Sequence, residues 1–425
     1  MLLSAICEEV CVVSRYRLLC LLAVAAVACV LGARYLQGRA AMGSTVRVDE
    51  RLIAANTDFA FRLFREVAGA KMDRNTVISP CGASMALSLA HDGALGKTQK
   101  AMSACLGFRR MSREEVNEAN AALLANLRNP GKGVELAVAN AVWVDRRAPI
   151  VPGFFDAARE FYGAESTNMD FTSPRAASLM DKWVRRKTKG RIRNIAHDTG
   201  ELTRACLTNA VCFRGVWTRR FERERTGYQP FFLAEDRYKG VLMMSQEAKL
   251  RYCQSDSFDA AALPYGAGRM SMYVFVPKRH SSLAEFLQHL NRANWERWMS
   301  GFRKTKTVIA LPRWKSDCRV DLRPACGRLG MEIAFDRDRA NFRGMCRCDA
   351  SDNVYLDALE QRTFVEVNEE GTEAATATFV LFHAQAAPFA RVIANRPFFF
   401  AIRDDTTGQI LFMGTVVDPT VVESR

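Results

Sequence analysis

The sequence predicts an α+β chain, a single large domain with helices packed on a dominant mixed or antiparallel β-sheet. Three observations carry this. Helical patterns collect in the first half, strand patterns dominate from about residue 205, and neither βαβ alternation nor a linker divides them. The 425 residues are 49% hydrophobic and include 26 Phe, which supplies a large core and excludes a disordered chain. The 26 Gly and 13 Pro are spread along the chain, which excludes collagen-like and Pro-rich linker classes.

Taken in order, the chain opens with an apolar stretch, Leu18 to Ala33, preceded by Arg15 and Arg17 and followed by Arg34. It falls short of the roughly 20 residues a spanning helix needs and fits a signal-peptide core. Residues 1–47 are therefore expected to be a leader with its linker, and 48–425 the folded domain. The expectation is secretion. An uncleaved anchor with its carboxyl end outside is the alternative, and the lack of any Asn-x-Ser/Thr sequon pulls against a conventional secreted protein.

Residues 57–107 read as mostly helical, with an apolar stripe at Phe59, Phe61, Leu63 and Phe64 and a second Ala/Leu-rich run from Ser84 to Leu95. Ser112 to Leu127 reads as an amphipathic helix with Glu114, Glu115 and Glu118 early. Val134–Asp145 alternates like a strand, and Phe154–Tyr162 and Ala176–Lys189 return to helical spacing. Later strands are expected at Ala205–Phe213, Met270–Pro277, Thr307–Pro312, Arg362–Val367, Pro397–Arg403 and Ile410–Val417.

The 60 Lys+Arg exceed the 46 Asp+Glu, a net charge of +14, which favours polyanionic partners. The densest run holds Arg185, Arg186, Lys187, Lys189, Arg191 and Arg193, and a second spans Arg214 to Arg225 with Glu222 and Glu224 interrupting it. These are a solvated face or a site for a heparin-like glycan. Zinc-finger, RNP and helix-turn-helix patterns are absent, so nucleic acid is not an expected partner.

No enzyme constellation is visible. None of the five His sits in a metal-binding HExxH, and there is no GxSxG elbow. Gly96-Lys97-Thr98 fails as a phosphate-binding loop because His91 stands where its first glycine belongs, and Gly266-Ala267-Gly268 lacks a third glycine. No cofactor or metal is expected. Of the 13 Cys, Cys7, Cys11, Cys20 and Cys29 lie in the leader. Cys81, Cys105, Cys206, Cys212 and Cys253 read as buried small hydrophobes. Cys346-Arg347-Cys348 is too tight for zinc-finger spacing. No disulfide is assigned.

The informative segment follows the strand Thr363-Phe364-Val365-Glu366-Val367. It reads Asn368-Glu369-Glu370-Gly371-Thr372-Glu373-Ala374-Ala375-Thr376-Ala377-Thr378. From Thr372 on, as a strand, it would place Thr372, Ala374, Thr376 and Thr378 on one face, all small or β-branched, and the only charge of that stretch, Glu373, on the other. Such a segment is built to enter a sheet, and a one-residue slip would bury Glu373. No Pro before Pro388 blocks ladder hydrogen bonds.

This segment resembles the reactive-loop hinge of the serpins, and the resemblance runs from about Asn56 to Pro419. Asn75-Thr76-Val77-Ile78-Ser79-Pro80, Asn140-Ala141-Val142-Trp143, Trp183-Val184 with Thr188-Lys189-Gly190-Arg191-Ile192, and Asn209 with Phe213-Arg214-Gly215-Val216-Trp217 match family motifs in order. So do Leu263-Pro264-Tyr265, Leu311-Pro312, and Val392 to Ile402 with Gly414, Val416, Asp418 and Pro419. The resemblance implies an inhibitor, not an enzyme, and a monomer. Its loop, about 369–394, baits a serine protease and inserts into the central sheet after cleavage. A cysteine protease is a second target class.

Counting fourteen positions from Gly371 puts the reactive bond at Gln385–Ala386; counting back from Pro397 shifts it about one residue later. Ala384, Ala386 and Ala387 would suit an elastase-like pocket, Phe382 or Phe389 a chymotrypsin-like one. The family's polar clusters under the sheet are expected at Ser79, Asn209, Trp217 and Gln361. Gln361 stands where the family often has His, and Gly82 stands where it has Ser, so one network bond is expected to be missing. A non-inhibitory serpin-fold binding protein, a ligand carrier or chaperone-like, is the alternative function, and the small hinge residues favour inhibition over it.

Overall fold

The computed structural model describes residues 46–69, 73–148, 150–192, 194, 203, 205–234, 236–347, 353–371 and 389–420. The leader up to residue 45, the hinge residues Thr372–Thr378, Gln385, Ala386 and Arg193 lie outside them. Arg47–Arg425 forms one unit.

Helix α1 (Glu50–Gly69) turns Leu52, Phe59, Phe61, Leu63, Phe64 and Val67 into the core, as its apolar stripe requires. After the short strand β1 (Thr76–Ile78), Ser79 caps α2 (Pro80–Gly93) by accepting from the Gly82 N–H, with Pro80 at the first helical position, where its missing N–H costs nothing. Helix α3 (Gly96–Leu106) follows, then α4 (Arg113–Arg128), opened by a reciprocal capping box between Ser112 and Glu115. Strand β2 (Val134–Asp145), helix α5 (Pro152–Tyr162), strand β3 (Glu165–Met169) and helix α6 (Ala176–Lys187) complete the first half.

The second half brings β4 (Ala205–Gly215), β5 (Thr226–Ala234), β6 (Arg237–Gln254), β7 (Phe258–Tyr265) and β8 (Met270–Pro277). Helices α7 (Leu283–His289) and α8 (Arg292–Gly301) precede β9 (Arg303–Pro312) and β10 (Trp314–Asp321). A single turn, α9 (Arg323–Cys326), then leads toward β11 (Ala358–Val367), and β12 (Ala390–Ile393), β13 (Phe398–Asp404) and β14 (Ile410–Val416) close the fold.

The strands form two sheets with mixed pairing, in keeping with the expected α+β class. One has five strands in the order β10-β11-β4-β2-β3; the other has nine, β1-β14-β13-β8-β7-β6-β9-β12 with β5 paired to β6. Alternation in a sequence reports that a segment is a strand, not which sheet it joins. Between α1, α7, α8 and the larger sheet, Phe275 packs against Phe258, Phe286, Trp295, Trp298, Phe302 and Phe399. Among the described residues, no helix is long and apolar enough to cross a membrane. Cys81, Cys105, Cys206, Cys212 and Cys253 are buried, as expected, and burial pushes the thiols of Cys81 and Cys206 up to about 12.

Candidate functional site: a parallel strand pair with a polar lock

At the middle of the smaller sheet, β11 and β4 run parallel, in register from Ala358 opposite Cys206 to Phe364 opposite Cys212. Both neighbours across the next ladders, β10 and β2, are antiparallel. Beyond β11 the chain turns back on itself. The Asn368 N–H donates to the Gly371 carbonyl (2.9 Å), and the N–H groups of Trp217 and Phe221 donate to the carbonyls of Glu370 and Glu369 (3.0 Å each). Gly371 then bridges Val216, just past the end of β4. Its φ of +150° and the Gly215 carbonyl, which would lie 2.0 Å from an added Cβ, leave room for glycine alone.

The turn is held from three sides. The Trp217 indole N–H donates to the Asn368 carbonyl (2.9 Å), and the ring stacks on Tyr265 with centroids 4.4 Å apart. Glu369, only 3% exposed, carries a buried charge. That charge is matched by Arg313, whose Nε lies 2.8 Å from Oε1, and by the Thr226 hydroxyl, which donates to the same oxygen at 2.6 Å. Glu370 faces outward to Arg220 (2.7 Å) and Arg223 (3.7 Å).

Halfway down the pair sits the second polar cluster. Gln361 and Asn209 are direct cross-strand partners, as are Asn209 and Asn140 on β2. The Gln361 amide donates to the Ser79 carbonyl (2.8 Å) and to Asn209 Oδ1 (3.2 Å), and its oxygen accepts the Ser79 N–H (2.7 Å). Asn209 Nδ2 donates to Asn140 Oδ1 (2.8 Å), Ser79 Oγ donates to the Leu411 carbonyl (2.7 Å), and Thr363 Oγ1 donates to the Val77 carbonyl (2.8 Å). This row ties three strands to the start of α2.

Gly82 does not leave the gap expected of it. The Asn209 carboxamide occupies the space a side chain there would need: an added Cβ would lie 2.2 Å from Asn209 Oδ1 and 2.5 Å from Val211 Cγ2. The unmet group is instead Asn140 Nδ2, which has no hydrogen-bond partner.

A strand that continued past Gly371 would run antiparallel to both β11 and β4. Opening the pair would break one parallel ladder and offer two antiparallel ones in its place. The smaller sheet thus has a parallel pair near its centre, and the chain turns back at Gly371 against the end of that pair.

A family model described as Serpin (serine protease inhibitor) matches residues 54–419. The chain belongs to the serpin family. It is 33% identical over 377 residues to human Serpin B8, covering 87% of this chain and 99% of that one. Among solved structures it matches the thermophilic serpin tengpin in its native state (TM-score 0.80, 27% identity, 88% of this chain and 96% of that chain). It also matches native protease nexin-1 solved with heparin (TM-score 0.79, 26% identity, 87% and 100%).

Of the residues singled out in the sequence of this serpin, Ser79, Asn209 and Gln361 converge in one cluster, and Trp217 lies at the end of the strand pair with Glu369, Glu370 and Gly371. The basic run is not a continuous free face. Arg186 and Lys187 pair with Glu165 (3.2 and 2.5 Å), Lys189 pairs with Glu135 (3.3 Å), and Arg185 lies 3.4 Å from Asn194 Oδ1. Sequence reading missed Asn140, Thr226 and Arg313. Asn140 and Arg313 stand inside or beside quoted motifs, but only the fold shows that they meet Asn209 and Glu369.

Proposed function

We propose that this serpin inhibits a serine protease as a suicide substrate. The protease's serine oxygen adds to the carbonyl carbon of Gln385, the C–N bond to Ala386 breaks, and the departing amine takes a proton from the protease's own base. The loop's amino-terminal half, Thr372 to Thr378 leading, then inserts between β11 and β4 with the ester still attached. Thr372, Ala374, Thr376 and Thr378 would face the core, where small side chains pack without delay. If insertion outruns hydrolysis of the ester, the protease stays bound.

The observation that carries this reading is the parallel β11–β4 pair with Gly371 clamped at its end. An elastase-like or chymotrypsin-like enzyme suits the loop best, with a cysteine protease as a further class. Mixing the protein with a panel of elastase-like, chymotrypsin-like, trypsin-like and cathepsin enzymes tests it. An SDS-stable adduct establishes the trap, and the mass of the released carboxyl-terminal peptide locates the bond. Cleavage by every protease without an adduct makes the chain a substrate-like serpin and favours the ligand-carrier or chaperone-like reading.

Two partner and location readings accompany this proposal. Secretion through the 1–47 leader predicts a mature amino terminus past Ala33; retention of the leader on membranes would support the anchor instead. A heparin-like glycan at Arg185–Arg193 is supported by the charge of +14 and weakened by the Glu165 and Glu135 pairs. Inhibition rates unchanged across a heparin titration would sink it.

A further inference from the structure

The outer face of β6, β9 and β12 carries cations that cost the sheet stability. Lys249 and Lys306 are direct cross-strand partners and both are exposed, an arrangement in which like charges repel. Lys304, also exposed, shares that face two residues along β9. Arg391 on β12 lies opposite Val308 and so on the same face, exposed as well.

Glu247 is the acid among them. It pairs with Lys306 at 2.7 Å, and that ammonium, with Arg225 and Arg219 beyond it, holds its carboxyl below the usual range. Among the described residues, Arg219, Lys249, Lys304 and Arg391 make no ion pair. These cations are in excess among the described residues.

Their position gives them a use. Lys306 stacks on Phe389, where the described chain resumes after the loop, with Nζ 3.9 Å from the ring centroid. Arg220, the residue after Arg219, binds Glu370, where the loop departs. The basic face thus reaches from Phe389, where the described chain resumes, toward Glu370, where the loop departs.

We propose that this face docks an acidic surface of the protease that attacks the loop, so that charge steers the enzyme before the bond is engaged. The inference rests on the bait reading above but not on covalent trapping. A protein surface fits better than a sulfated glycan because Glu247 sits among the cations, paired with Lys306. A partner with mixed charge can match that pattern; a uniformly anionic chain meets repulsion there.

The test uses pancreatic elastase, native and with its lysines succinylated, against the full chain and Lys249→Glu/Lys304→Glu. The readout is the total rate of loop consumption, counting adduct and cleaved chain together, so a failed trap sinks the inhibitor reading without touching this one. Succinylated elastase should react roughly tenfold faster at low than at high ionic strength, and the double variant should lose that gain while the partition between adduct and cleaved chain stays unchanged. Equal rates for variant and parent would overturn the proposal. Loss of heparin-column retention with an unaltered elastase rate would assign the face to a glycan and overturn it equally.

Discussion

Gln361 and Asn209 face each other across the parallel β11–β4 ladder, joined by an amide hydrogen bond of 3.2 Å. Both are nearly fully buried, at 2% exposure each. The proposed insertion would have to break that bond, and the same Gln361 amide holds the backbone of Ser79 on both its N–H and its carbonyl.

Gln361→Ala removes three hydrogen bonds and strands the buried Ser79 N–H. A loss of about 1–3 kcal/mol is expected, read as a lower midpoint for the first transition in denaturant. The variant should also form loop–sheet polymers at a lower temperature on native gels. An unshifted midpoint would mean that the row does not hold the strands.

Gly82→Ser restores the residue that the family resemblance leads one to expect, yet it should destabilise this chain. The new Cβ meets Asn209 Oδ1 and Val211 Cγ2, and Asn209 is pinned by Gln361 and Asn140. Overpacking of about 1–3 kcal/mol follows. Pairing it with Asn209→Ala should recover much of the loss, because the second change empties the contested space. A stabilised Gly82→Ser single variant would show that the carboxamide yields freely.

Arg313→Met leaves the buried Glu369 carboxylate with the Thr226 hydroxyl as its remaining partner at the turn. Removing one partner of a buried pair costs about 3–5 kcal/mol. The loop's departure point should loosen, with faster hydrogen exchange at Asn368–Gly371. Exchange rates matching those of the parent would separate the ion pair from the clamp.

Thr376→Arg places a long charge on the face that parity directs into the core. Insertion should slow while attack on the bond does not, so SDS-stable adduct gives way to cleaved chain at an unchanged rate of loop consumption. Undiminished adduct would put residue 376 outside the inserting face.

Several of these elements were legible in the sequence because local patterns encode them. The alternation of β2 marked Val134–Asp145 with the bounds the structure shows, and the acidic first turn of α4 marked its start beside Ser112. The cluster members Ser79, Asn209, Trp217 and Gln361 could be named because their motifs resemble the family's. What was hidden depends on contacts between distant residues. Arg313 reaches Glu369 across 56 positions of chain, and no periodicity signals that. Asn209 fills the space over Gly82 because β4 passes the start of α2, a fact of packing rather than pattern. The basic run at Arg185–Arg193 looked uniform in sequence, and only the fold brings Glu165 and Glu135 against it.

The central claim is that the loop can become a strand between β11 and β4. The most direct measurement is the thermal unfolding of the chain after a single cut in the loop, with both fragments retained. Insertion exchanges one parallel ladder for two antiparallel ones, so the cut protein should melt well above the intact one, and the Thr376→Arg protein should show much less of that rise. A cut chain that melts at or below the temperature of the intact protein would contradict the account.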